Sequence, residues 1–424
     1  MINKKLSKAL GPVLGMMGFM LTIGVMESPV FADTYTTSQI SNATTQAAVT
    51  YTENNDYYIN INKVVTQNGI KVTLDKALAS KHNIKAIIKI ESDKPFDKTS
   101  YGDSIFDLTY NNDFDSRTRN ISKKYLDDKT MILTLEKDNY ENEYSANGNL
   151  RVDVVLSKYK ANIGIEAPVD FTEAFKNVFE KKVSGKIPGV NYSLNSIEAD
   201  VIGTKINYTE PELDESRNSN DDTLWNSILL LKLGDKYYKI NENGNYSDGT
   251  DIFMGNYKTD LVTYNMVKDE KNISLLPITS YMTMDDFNSL DKNSQDKASA
   301  ATKNLKNNVS YPNDYTFSDG TKGKIYKIER SNGLVKVYLK GADEKESLLI
   351  ANSMNMHYTY AKDDKNRTYI NANNIISYKD PNETLGYIVE IKDTEKDKEL
   401  NITLDDSIKF ADKYKLENEI KLTD

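Results

Sequence analysis

Apolar and polar residues alternate with a period of two over much of this chain, the period of half-buried strands rather than of helices. The clearest stretch opens at Tyr57 to Thr66, turns at Asn68-Gly69 and returns over Ile70 to Leu78. Asn-Gly tolerates the positive φ angles of a two-residue turn, so a hairpin is predicted there. Ile84, Ala86, Ile88 and Ile90 alternate with Lys85, Lys89 and Glu91, and Met131 to Leu135 and Leu150 to Leu156 supply further strands. In Tyr192 to Val201 the alternation slips by one residue, as a bulge would make it. Leu229, Leu231 and Leu233 interleave with Leu224, Ile228 and Leu230, so this strand is apolar on both faces and is expected to be the most buried of its domain.

Near the end of the chain a second Asn-Gly pair, Asn332-Gly333, sets a register: Ser331 opposite Leu334, Arg330 opposite Val335, Glu329 opposite Lys336, Ile328 opposite Val337 and Tyr326 opposite Leu339. Further strands are read at Ser347 to Met356, Tyr369 to Tyr378, Leu385 to Lys392 and Leu400 to Leu404. Helical spacing occurs in two places. Phe171, Phe175, Val178 and Phe179 fit a short amphipathic helix or an irregular edge strand, and Thr283 to Asn307 carries a thin apolar stripe behind Asp285 and Asp286.

These patterns predict a mainly β chain of tandem immunoglobulin-like β-sandwich domains with a short helical linker. The division is 1–32 signal peptide, 33–55 flexible linker, 56–167 first β-sandwich domain, 168–278 second β domain, 279–310 helical linker and 311–424 third β domain. At ~100–200 residues per domain, 424 residues suit such a division.

The leader places the chain. Lys4, Lys5 and Lys8 precede the uncharged run Ala9 to Met26, and Val30 and Ala32 offer the small residues for a cut before Asp33. A retained single-span anchor is the alternative, because a span needs ~20 apolar residues and this run falls only slightly short. Either way the rest of the chain is exported. With no Cys there is no lipid attachment, no disulfide framework and no thiolate chemistry. The acidic balance, 54 Lys and Arg against 63 Asp and Glu, argues against nucleic acid as a partner. Membrane contact is expected only if the leader is retained.

Catalytic signatures are missing. His82 and His357 are the only histidines and fall in different predicted domains, and no zinc-protease, nucleophile-elbow, phosphate-loop or dinucleotide motif occurs. Ser157 to Lys160 and Ser294 to Lys297 match an S-x-x-K spacing without its companion elements, and N-x-S/T triplets such as Asn191 to Ser193 reflect the abundance of Asn. Two oxygen-rich stretches, Asn112 to Asp115 and Asn241 to Asp251, have the composition of a Ca²⁺ loop, although the second lacks a closing Glu and a solvated turn explains both. The 28 Tyr residues could stack on sugars or anchor a protein, and equally serve as ordinary strand residues; Trp225 belongs to the most apolar run. No catalytic, cofactor-binding or metal site is assigned, and no cofactor is expected. Nothing selects two carboxylates for a glycosidase or other envelope hydrolase.

The segment Lys63 to Ser92 resembles the opening of a bacterial extracytoplasmic domain family of unknown function, found in the outer portions of anti-sigma-factor-like proteins of Gram-positive bacteria. Val190 to Tyr208, with the strand around Leu229, resembles the immunoglobulin-like companion of that domain. The resemblance implies an exported sensing or binding role and brings no catalytic residues. Anti-sigma members carry a cytoplasmic helical domain ahead of the membrane segment, and only about eight residues precede the apolar run here, so direct sigma binding is not implied. The expected function is a non-enzymatic cell-envelope protein that binds a ligand or protein partner, with a membrane-anchored sensor ectodomain as the alternative.

Overall fold

The computed structural model describes residues 55–97, 104–112, 120–139, 142–188, 192–211, 227–247, 252–283, 285–286, 303–359, 367–370 and 375–423. The leader, Trp225 and Ser294 to Lys297 lie outside them. The chain is mainly β, as the alternation predicts.

The first unit holds β1 (Ile59–Gln67), β2 (Ile70–Ala79), β3 (Asn83–Ser92), β4 (Ser104–Tyr110), β5 (Asn120–Tyr125), β6 (Thr130–Asp138), β7 (Asn147–Leu156) and β8 (Ala161–Asp170). They form a five-stranded sheet, β1-β2-β3-β6-β5, facing a three-stranded sheet, β4-β7-β8. Ile70, Val72, Leu74, Ile88, Ile90, Leu133, Leu150, Val152 and Val154 fill the space between the sheets. Each such side chain stabilises by about 1.5–3 kcal/mol relative to an exposed one. Gln67 pairs with Ile70, and Asn68 and Gly69 both adopt positive φ, so the first hairpin is the one the sequence predicts.

The second unit holds β9 (Phe179–Lys186), β10 (Ser193–Ala199), β11 (Thr204–Pro211), β12 (Ile228–Leu233), β13 (Lys236–Ser247), β14 (Ile252–Thr259) and β15 (Ile273–Ser280). A single helical turn, Thr172–Phe175, precedes β9, so the stretch around Phe171 divides between the two readings given to it. The slip in β10 is a real irregularity of register between Leu194 and Ser196. Strand β12 is buried on both faces, as expected, but β15, all eight of whose residues are buried, exceeds it.

The third unit holds β16 (Lys303–Lys306), β17 (Val309–Pro312), β18 (Asp314–Thr316), β19 (Lys322–Ser331), β20 (Leu334–Lys340), β21 (Met354–Thr359), β22 (Arg367–Ile370), β23 (Ile376–Lys379), β24 (Gly386–Lys392), β25 (Glu399–Leu404), β26 (Tyr414–Leu416) and β27 (Ile420–Lys421). In the stretch read as a helical linker, Asp285 and Asp286 are helical, 287–302 lie outside the described residues and β16 forms the end. The Asn332-Gly333 hairpin keeps its predicted register from Ser331 to Ile328. Beyond that a bulge at Tyr326 puts Ile325, not Tyr326, opposite Leu339; Ile325 enters the core and Tyr326 leaves it.

A further expectation is overturned. The residues read as a strand from Ser347 begin instead as a helix, Glu344–Asn352, and only Met354–Thr359 is extended. Asp343 caps the helix by accepting from the Glu346 N–H at 2.7 Å, and Glu346 reaches back to the Ala342 N–H at 2.8 Å. The capped start and the burial of Leu348, Leu349, Ile350 and Ala351 prevail over the strand-like composition.

A backbone ladder joins the second and third units. Tyr238 of β13 pairs with Ile376 of β23, and the sheet continues through β24 to β18. Leu229, Leu231, Ile273 and Leu275 face one core, while Ile228, Leu230, Leu276 and Ile278 face another. Two cores thus share the middle strands.

Candidate functional site

Strand β1 ends one sheet of the first unit and β8 ends the other, so among the described residues no further strand pairs with either edge. At one end side chains bridge these edges. Lys63 Nζ donates to the Glu166 carbonyl, Asn68 Nδ2 to the Lys160 carbonyl and the Asn162 N–H to Gln67 Oε1, each at 2.6 Å. At the other end β1 bulges between Asn60 and Lys63, with Asn62 at a φ of 53°, and bends away.

The result is a groove of about 570 Å³ lined by Ile59 to Lys63 and Ala167 to Asp170. That size lies within the ~300–1,000 Å³ of small-ligand sites. Ala167 and Val169 belong to the core beneath it, and Ile59 and Ile61 pack against that core. The groove therefore has an apolar floor and two backbone walls. At its mouth, the Thr172 hydroxyl and N–H hold the Asp170 carboxyl below the usual carboxylate range. A second cavity, beside Phe96, Tyr125 and Tyr159, has only about 20 Å³, room for one water.

A charged seam orients this unit against the second. Lys258 Nζ lies 3.2 Å from Asp260 and 3.8 Å from Asp138, and donates to Asn83 Oδ1 at 3.5 Å; Lys85 pairs with Glu136 at 2.9 Å. Burial opposes the Glu136 charge, yet the Lys85 and Lys258 ammonium groups outweigh it and hold that carboxyl at about 2. Burial pushes Glu198 up and Lys205 down on the neighbouring strands.

The residues that drew notice in the sequence are scattered. His82 contacts the Asn139 carbonyl in the first unit, whereas His357 is buried in β21 of the third. Ser157–Tyr159 is a 3-10 turn, with Lys158 paired to Asp97. Asn112 sits in a turn, and the rest of its oxygen-rich stretch lies outside the described residues. From Asn241 to Ser247 the other stretch is part of β13, paired with β14, and 248–251 lie outside the described residues. Among the described residues no group of three or more His, Asp or Glu is placed to hold a metal ion. Sequence reasoning missed the groove; its one local signal was the pair of asparagines that bracket Ile61.

No family model matches this chain, and no curated protein matches it. Among solved structures, a conserved domain protein from Bacillus anthracis is similar at 14% identity and a TM-score of 0.42, over 54% of this chain and 80% of that one. The N-terminal periplasmic domain of ScsB from Proteus mirabilis is similar at 10% identity and a TM-score of 0.16, over 52% of this chain and 94% of that one. Neither likeness is close enough to carry function.

Proposed function

We propose that the protein is an exported, non-enzymatic component of the bacterial cell envelope that binds a protein partner by taking an extended segment of it into the groove between β1 and β8. The observation that carries this reading is a ligand-sized groove walled by two strands that end their sheets among the described residues, over an apolar floor. An inserted strand gains main-chain hydrogen bonds from the edges and side-chain contacts with Ile59, Ile61 and Val169. Lys63, the bulge at Asn62 and Pro168, which has no N–H to offer, limit pairing to about four or five residues, so the edge accepts a short segment without propagating into a fibre. Export rests on the basic and apolar leader with its small-residue cut site before Asp33.

The test is hydrogen exchange on the full exported chain, with and without detergent-solubilised envelope proteins. Slowed exchange over 59–63 and 167–170, abolished by filling the groove with Asn60→Trp, is the expected result; Asn60 is exposed, so the substitution leaves the core intact. Unchanged exchange there in the presence of partner-containing extract overturns the reading. The resemblance of Lys63 to Ser92 to outer domains of anti-sigma-factor-like proteins favours a second form of the same idea, a sensor ectodomain held by its leader. A mature chain beginning at Asp33 rules that form out.

A further inference from the structure

The groove opens at the point where the chain enters the first unit. Lys63 meets Glu166, Gln67 meets Asn162 and Asn68 meets Lys160, so numbers rise along β1 as they fall along β8 and the two walls run antiparallel. These bridges close the groove at its Lys63 end, and β1 begins at the open end with Ile59. Just ahead of Ile59 lies a 3-10 turn, Asn55–Tyr57. Tyr57 and Tyr58 pack against the core, and the Lys76 ammonium group stands 4.5 Å above the Tyr58 ring, so the turn is pinned there. Whatever precedes Asn55 therefore starts within a few residues of the open end.

The residues ahead of that turn lie outside the described residues, and their composition sets them apart from the rest of the chain. From Thr34 to Thr52 none is charged, although 28% of the whole chain is. A charge over an apolar floor is costly to bury, so an uncharged run is the kind that can enter such a groove. Its end alternates: Ala47, Val49 and Tyr51 fall on one face and Ala48, Thr50 and Thr52 on the other, with the Val, Thr and Tyr that strands favour. At ~3.3 Å per residue, residues 47–52 reach ~20 Å, enough to follow the wall from Ile59 to Lys63.

Proximity chooses among occupants. A segment joined to the wall by a short connection faces it at an effective concentration of ~1 mM, far above that of a second copy or a foreign segment in dilute solution. A chain that turns back ahead of β1 also meets its outer edge antiparallel, the pairing that a short connection makes. We propose that residues 47–52 of this chain enter the groove as an added strand on β1, with Ala47, Val49 and Tyr51 toward the floor, and that a partner binds by displacing them. This rests on the reading that the groove takes an extended segment, and it says what holds the groove before the partner arrives. The tethered strand protects the edge only as far as its own affinity allows, so a tighter partner slows exchange there further.

The test uses the full exported chain. Val49→Pro/Tyr51→Pro removes two N–H groups from the segment and touches no residue of the first unit's core. Hydrogen exchange over 59–63 is expected to quicken about threefold or more, with β3 and β6 unchanged, and a synthetic peptide of residues 45–54 at millimolar concentration is expected to slow it again. Exchange over 59–63 that stays as slow as in wild type overturns the proposal, as does a peptide without effect. Protection that grows with chain concentration also overturns it, because the strand then comes from a second copy. If β3 and β6 quicken too, Val49→Lys/Tyr51→Lys, which charges the segment and keeps its N–H groups, takes the place of the proline pair under the same criteria. Envelope extract is added to the variant as well. Slowing over 59–63 upholds the partner reading even where this proposal falls, and exchange that stays fast denies the partner while leaving the proposal standing.

Discussion

Where the first unit meets the second, Val201 and Ile202 are the only described residues from β9 onward that enter the neighbouring core, on a loop that Asp200 Oδ1 holds by accepting from the Ile202 and Gly203 N–H groups at 2.6 and 2.9 Å. Around this small plug run the ion pairs of Lys85, Glu136, Asp138, Lys258 and Asp260. Where the second unit meets the third, the joint is a continuous sheet whose middle strands feed a core on either side. The first joint is electrostatic with a small apolar centre, and the second is apolar burial plus backbone pairing. Acid neutralises the carboxylates of such pairs and leaves buried alkyl surface nearly untouched, while salt screens pairs as buried as Lys258 with Asp138 only weakly. The first unit, which carries the groove, is therefore the part whose orientation the environment can loosen.

Leu230→Ala tests the apolar joint and carries the largest expected effect. It empties a fully buried position in the shared strand β12 and is expected to cost about 2–5 kcal/mol. Calorimetry should show the second and third units melting together at a lower temperature, and two resolved transitions for them would break the comparison. Lys258→Met comes next. It removes the ammonium group 3.2 Å from Asp260 and 3.8 Å from the buried Asp138, and is expected to cost about 1–3 kcal/mol. The loss should fall on the joint, as earlier exchange in β3, β6 and β14 with β12 and β15 unchanged.

The smallest effect is the acid response of the seam. Because Glu136 is held at about 2, its charge contributes stability above the ordinary glutamate value of ~4.3, and that contribution is lost as pH falls toward 2. Glu198, raised by burial, titrates with the opposite sign, so the response is read as wild type minus Glu136→Gln. The expected outcome is a melting temperature of the first unit that falls less steeply below pH 4 in the variant than in wild type. Equal slopes would remove Glu136 from the account.

Much of the strand order was legible because its causes are local. Asn68-Gly69 and Asn332-Gly333 adopt the positive φ angles their turns require, and the slip in β10 is a register shift in the structure. The doubly apolar pattern of Leu229 to Leu233 announced a strand between two cores. The helix Glu344–Asn352 was legible too, through Asp343 followed three residues later by Glu346, but the run of Leu and Ile beyond it masked that signal. The bulge at Tyr326 left no trace in the pattern, because an alternation of two reads equally well from Ile325 or Tyr326.

The sequence by itself determined the β periodicity, the two tight turns and the burial of β12, since each depends on residues within a turn or a strand of one another. Tertiary structure alone decided the groove, the seam and the clustering of Tyr326, Tyr338 and Tyr378. The groove exists because β1 and β8, a hundred residues apart in sequence, end different sheets, and the seam because Lys258 meets Asn83 across 175 residues. Tyr326, Tyr338 and Tyr378 share one face only through the pairing order β19-β20-β24-β23, which no local pattern encodes. Contacts of that range are set by how whole sheets bury their apolar faces against one another, a property of the assembled chain.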